Sequence, residues 1–325
     1  MRAIRYDRFG PPEVLRIADV AEPAPRAGEV KVRVRAAGLN PLDWKIRAGH
    51  LRMLPLLDRP PRGLGVEFAG EIVGVGGGAT GRYLGERVFG SLDPLRRQGA
   101  LAEYVCARAE NVVPIPEAMS FAQAAVLPIA GGTAAQALLD HAHLERGQRV
   151  LITAAGGGVG HYAVQLARHL GAHVTAVCGP DNVGFVRTLG ADAVIDYTRD
   201  DFTRREARYD VVFDAAGVTG FFACRSVLAA EGIYVDTSPS AAAVARAVLA
   251  QVVARIGSRQ RAIGIVLRAN GRAWARLAQL AAAGTLKPHI ARTIGLRDVA
   301  DAQRAMETGH GQGKIVVDLD AALPA

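Results

Sequence analysis

The stretch LITAAGGGVGHYAVQLARHLGAHVTAVC, Leu151–Cys178, decides the fold. RVLITA reads as a buried strand, HYAVQLARHL as an amphipathic helix and HVTAVC as a second strand, which together make a βαβ unit. The turn between them is Ala155-Gly156-Gly157-Gly158-Val159-Gly160, an A-x-G-x-x-G variant of the dinucleotide fingerprint. In that fingerprint Gly157 lets the backbone approach a pyrophosphate, and Gly160 lets helix and strand pack closely. Gly158 and Val159 lead into the helix, whose first N–H groups attract an anion. Two readings are open, a phosphate cradle and a plain strand-to-helix turn. The strand before, the helix after and the second strand at the right distance favour the cradle.

The end of the second strand carries the next clue. A carboxylate there would hold an unphosphorylated ribose, yet the sequence has Cys178 followed by Gly179. A missing acid favours NADPH over NADH, while Asp181 in the same loop counts against it. Arg187 or a residue around Arg199 is the candidate partner for a 2′-phosphate.

Outward from this unit, strands and helices keep alternating through AVID, YDVVFDAAG, a helix at FFACRSVLA, and GIYVD. Continuous apolar strands separated by helices imply a parallel, doubly wound sheet that binds its ligand at the carboxyl ends of the strands. Before it, VKVRVRAAG, FAGEIVGVG, ERVFG and ALAEYVCAR are short strands punctuated by Gly and Pro, as in an antiparallel barrel. The texture changes at SFAQ, where Ser120 and Gln123 form a capping-box pattern. The expected division is residues 1–119 with 266–325 as one domain and 120–265 as the sheet domain. The loop 51–64 and the Ala-rich segment 240–258 are expected to shape the pocket.

Composition narrows the function classes. The 325 residues carry a net charge of +8, with 35 arginines against 4 lysines. The arginines are scattered, and no basic run is interleaved with aromatics, so no nucleic-acid site is expected. No apolar run reaches membrane-span length and the start MRAIRYDRFG has no signal-peptide core, so a cytoplasmic protein is expected. Cys106, Cys178 and Cys224 lack metal-ligand spacing and read as buried small hydrophobes. Asp43 and Arg47 stand at i, i+4 and read as a helix ion pair. The histidines read as surface residues, and Glu67 as a brace for its strand rather than a base.

The segments AAGLNPLDWKIRAG, LGVEFAGEIVGVG, GERVFG, GALAEYV, GQRVLITAAGGGVGHYAVQLAR, LGADAVIDY and GQGKIVV resemble the medium-chain dehydrogenase/reductases. Within them they are most similar to the zinc-independent, zeta-crystallin-like quinone oxidoreductases. Gly156 departs from that pattern, which usually has a small alanine or serine there. The resemblance implies an α/β fold: a GroES-like antiparallel β-barrel domain plus a Rossmann doubly wound parallel sheet. It implies NADPH as cofactor, a quinone or α,β-unsaturated carbonyl as small-molecule substrate, and a homodimer. Zinc-dependent relatives place a cysteine ligand at the position of Asn40 and a histidine ligand at that of Val66, so no metal is expected. Asn40 and Thr133 are the candidate catalytic residues and also cofactor contacts. Tyr197 is expected beside the adenosine half, and Gly217, Thr237 and Ser238 on the nicotinamide side. Lys314 is a candidate for a phosphate contact. Two alternatives stay open: an enoyl reductase acting on acyl thioesters, and a non-catalytic NADPH- or RNA-binding protein.

Overall fold

Alternation in EVKVRVRAAGL builds the strand on which the first unit is assembled: Val30, Val32 and Val34 are buried, while the charged residues between them are less so. The computed structural model describes residues 1–52, 59–94, 97–237, 259–309 and 311–320. In chain order, the first elements are β1 (Arg2–Tyr6), β2 (Arg16–Asp19), β3 (Glu29–Leu39), α1 (Pro41–Arg47) and β4 (Arg62–Gly63). They are followed by β5 (Glu67–Val75), β6 (Arg87–Ser91), β7 (Tyr104–Arg108), β8 (Val112–Pro114), α2 (Phe121–Ala125) and α3 (Pro128–Ala135). Next come β9 (Arg149–Ile152), α4 (Gly160–His169), β10 (His173–Cys178), α5 (Val183–Thr188) and β11 (Ala193–Asp196). They are followed by β12 (Tyr209–Asp214), α6 (Phe221–Cys224), β13 (Leu228–Asp236) and β14 (Arg261–Gly264). The chain continues through a helix at Gly271–Ala282, β15 (Ile290–Ile294), a helix at Val299–Glu307 and β16 (Lys314–Asp318).

The chain divides into two compact units, Met1–Gly132 with Ala269–Ala325, and Thr133–Arg268. In the first, β3 pairs antiparallel with β5, β7 and β16, and a small sheet runs β2-β1-β4. Tyr6, Phe68, Ile72, Leu101 and Val317 fill its core. α2 packs on β3, β5 and β6, so residues 120–132, expected with the sheet domain, group with this unit. In the second unit six parallel strands run β11-β10-β9-β12-β13-β14. Counted from the first strand of the sheet this is the order 3-2-1-4-5-6, whose switch point lies between β9 and β12. The glycine turn follows β9, at that point.

Three local expectations change. The helix expected over FFACRSVLA is only Phe221–Cys224, because apolar Leu228 already enters β13 beside Tyr209. Asp43 and Arg47 do not pair. Arg47 binds Glu307 and the Gly10 carbonyl, and Asp43 turns back to the backbone of Asn40. His161 is buried rather than exposed, its Nδ1 3.0 Å from the Gly157 carbonyl. Ser238, the segment 240–258 and residues 53–58 of the 51–64 loop lie outside the described residues.

Ser120 and Gln123 do form a reciprocal cap, with Gln123 N donating to Ser120 Oγ (3.2 Å) and Ser120 N to Gln123 Oε1 (3.0 Å). Ser120→Ala removes one of these bonds at an exposed site and should cost about 1 kcal/mol. A melting temperature lower by a few degrees would register it, with Ser120→Asp close to the parent.

Candidate functional site

The phosphate turn is built from its glycines upward. A methyl group on Gly160 would collide with the Ala154 carbonyl oxygen and come within 2.7 Å of the Ala155 Cα. Only glycine there lets α4 start directly against the end of β9. Gly157 would carry a Cβ 3.2 Å from the Ala154 oxygen, and Ala154 itself has a positive φ of 48°. His161 holds the turn from inside the unit through the Gly157 carbonyl. The departure at Gly156 has a local cause. A Cβ there would lie 2.7 Å from Cγ of Asn182, whose side chain covers the turn from the loop after β10. These features fit a dinucleotide, because Ala155, Gly157, Gly158, Val159 and Gly160 form a compact turn that leads into a helix N-terminus.

At the end of β10 the structure brings Cys178, Gly179 and Tyr197 together. Tyr197 N donates to the Cys178 carbonyl (3.2 Å), and its hydroxyl would lie 3.2 Å from a Cβ on Gly179. Tyr197 is half exposed, so it is no core residue. Burial, with Asp196 adding to it, pushes the Cys178 thiol up to about 11, so this strand end carries no negative charge of its own at neutral pH. Arg199 stands 3.6 Å from Asp196 and is largely exposed.

Gly217 and Thr237 meet through a residue that the motif reading passed over, Asp214. This buried carboxylate ends β12 and accepts from Thr153 Oγ1 (2.7 Å), Gly217 N (3.1 Å), Thr219 N (2.8 Å) and Tyr234 Oη (2.8 Å). Burial, reinforced by Asp214, pushes Tyr234 up, so it remains a phenol that donates. Thr237 Oγ1 donates to the Ala215 carbonyl (3.0 Å). Thr133 is buried in α3 at the start of this unit. The signal for Asp214 was present in VVFDAAG as a charged residue ending an apolar strand.

The first unit holds the other cluster. Asn40 follows β3 in extended conformation, and Pro41 starts α1 at a position where no N–H is needed. The Asn40 N–H donates to Asp43 Oδ2 (2.7 Å) and its side-chain Nδ2 to Glu67 Oε1 (2.9 Å). Glu67 is completely buried, and its Oε2 accepts from the Ile129 N–H (2.8 Å). Gly38 faces Glu67 across the β3–β5 pair, and any side chain there would collide with the carboxylate. Lys314, the first residue of β16, reaches Leu39 O (2.8 Å), Asn40 Oδ1 (2.6 Å) and Glu67 Oε1 (2.9 Å). Each N–H of the ammonium thus has an acceptor. That geometry corrects the phosphate contact considered for Lys314, since its charge is turned inward. It also shows that the residues do not fit zinc: the Asn40 and Glu67 oxygens already hold a cation, and Val66 offers no ligand atom.

Asp43 is buried with its Oδ1 unpartnered. Burial pushes its carboxyl up to about 7, with Glu67 adding to this, while the Asn40 N–H, Lys314 and Arg62 pull it down. The native chain therefore binds a proton that the unfolded chain has released above its ordinary value of 3.8. This contribution to stability is complete at low pH and is lost as pH rises through about 7. Asp43→Asn should flatten the melting temperature between about pH 5 and about pH 8, and parallel profiles for parent and variant would contradict the assignment. Asp214→Asn places an NH₂ against the donors of Gly217, Thr219 or Tyr234. It should lower stability by about 1–3 kcal/mol, read as a lower melting temperature.

Comparison with known proteins fits both units. Residues 26–117 match the alcohol dehydrogenase GroES-like domain family, and residues 189–317 match a family described as zinc-binding dehydrogenase. The chain is 34% identical to the chloroplast envelope quinone oxidoreductase homolog of Arabidopsis thaliana, with 98% of each chain covered. It is 31% identical to the NADPH-dependent alkenal/one oxidoreductase, chloroplastic, of the same plant, over 98% of this chain and 79% of the relative. The solved quinone oxidoreductase of Coxiella burnetii superposes with a TM-score of 0.87 at 33% identity, over 98% of this chain and 99% of that one. With a GroES-like unit, a sheet of order 3-2-1-4-5-6 and full-length similarity of this kind, the chain belongs to the quinone oxidoreductase family of the medium-chain dehydrogenase/reductases.

Proposed function

We propose that the protein is an NADPH-dependent, zinc-independent reductase that delivers hydride to a quinone or an α,β-unsaturated carbonyl compound. The observation that carries this reading is the buried Asn40–Glu67–Lys314 array. Alcohol oxidation needs a Lewis acid on the alkoxide, and this array already surrounds a cation of its own. An acceptor that is electrophilic by itself needs less: placement, exclusion of water and a donor for the oxygen on which charge develops.

The bound nicotinamide supplies the hydride. Backbone groups of Ala155, Gly157, Gly158, Val159 and Gly160 would hold the pyrophosphate, and Cys178, Gly179 and Tyr197 would contact the adenosine ribose. Gly217, on the loop that Asp214 organises, and Thr237, just after β13, would contact the nicotinamide half. Asn40 and Thr133 are the polar groups assigned to catalysis, and the proton on carbon comes from solvent. The preference for NADPH is supported by the uncharged end of β10 and by the largely exposed Arg199 nearby, and a homodimeric, cytoplasmic enzyme completes the reading.

The test mixes the protein with NADPH and 1,4-benzoquinone, 9,10-phenanthrenequinone or a 2-alkenal and follows the cofactor absorbance. Turnover with at least one acceptor, about tenfold more efficient with NADPH than with NADH, is the expected result. Silence with all of them would overturn the reading, and turnover confined to enoyl thioesters would move it to an enoyl reductase.

A further inference from the structure

The orientation of one carboxamide has consequences for the chemistry. Lys314 can only donate and the Glu67 carboxylate can only accept, so together they fix which end of the Asn40 amide is oxygen and which is nitrogen. A flipped amide would set NH₂ against the ammonium and oxygen against the carboxylate. Glu67 Oε1 bonds both Lys314 Nζ and Asn40 Nδ2, so the three groups close a ring. The backbone is held as well: Lys314 binds the carbonyl just before Asn40, and Asp43 binds the Asn40 N–H.

We propose that Lys314 and Glu67 are positioning residues that hold the second Nδ2–H of Asn40 as a hydrogen-bond donor to the carbonyl oxygen of the substrate. With Oδ1 turned to the ammonium and one N–H turned to Glu67, that second N–H is the polar hydrogen the ring leaves over. The ammonium at 2.6 Å draws electron density toward Oδ1 and strengthens the N–H groups on the same amide. A donor locked in this sense suits an acceptor atom, and its value grows as negative charge collects on the oxygen. Among the partners open to Asn40, a ribose hydroxyl could adapt to either amide orientation, whereas a carbonyl oxygen requires the one observed. Lys314 thereby makes a buried cation felt at the substrate without touching it.

This inference rests on the reductase reading, and the experiment separates the two. Turnover of 2-cyclohexenone and of 1,4-benzoquinone is measured for the unmodified protein, for Asn40→Ala and for Lys314→Met/Glu67→Gln. The double variant removes both buried charges together, so neither is left alone in the core. An enone depends on help at its oxygen more than a quinone does, since reduction of the quinone gains aromaticity. The expected result is a kcat for the enone lowered about tenfold or more in both variants, and by a clearly larger factor than the kcat for the quinone. In the double variant the KM for NADPH should stay within about twofold, and adding Asn40→Ala to it should lower the enone rate little further. An equal loss for both acceptors, or a KM for NADPH that rises in step, would mean a merely structural role and overturn the inference. So would an unchanged enone-to-quinone ratio in Asn40→Ala, which leaves the ion pair in place. No turnover of either acceptor by the unmodified protein would instead remove the reductase reading.

Discussion

The ion pair between Lys314 and Glu67 ties the first unit together at its most demanding point. It joins the start of β16 to the start of β5, and through the Leu39 carbonyl and the Asn40 amide it joins both to the end of β3. Two charges removed from water are a net cost unless each remaining lone pair and proton finds a partner. Here they do: the carboxylate takes the Asn40 amide and the Ile129 N–H, and the ammonium takes three oxygens. Gly38 exists in this arrangement as space for the carboxylate. Removing one member leaves a buried charge alone, which is why the group acts as a unit.

The sheet unit solves a different problem with a related device. The glycine turn is defined by steric exclusion at Gly160 and by the clasp of the His161 side chain on the Gly157 carbonyl. The loop after β12 has no such constraint, and Asp214 supplies one by accepting from three different loop and strand partners besides Thr153. The loop is thereby fixed to the end of a buried strand. Asn182 over Gly156 belongs to the same logic, since side chain and missing side chain occupy one volume.

Much of this was legible in the chain. The alternation of apolar strands with helices implied the parallel sheet, and the A-x-G-x-x-G turn located its switch point, because both are local patterns with steric causes. The capping box at Ser120 was readable for the same reason. Asp43 and Arg47 misled, since i, i+4 spacing says only that two side chains can meet on a helix surface. Burial of that face against Glu307 and the Gly10 carbonyl redirected Arg47, and the Asn40 N–H captured Asp43. His161 misled as well, because a polar residue in an amphipathic helix gives no sign that a backbone carbonyl awaits it.

By itself the sequence determined the architecture, the position of the glycine turn and the absence of cysteine and histidine at positions 40 and 66. These depend on residue type and short-range spacing, which the chain carries openly. Tertiary structure alone decided what Asn40, Glu67 and Lys314 do, because Asn40 and Lys314 are separated by 274 positions and meet only when β16 pairs with β3. Lone residues in a sequence show which bonds they can make. Which bonds they do make is settled by burial, where every polar group must find its partner among the few that the fold brings within reach.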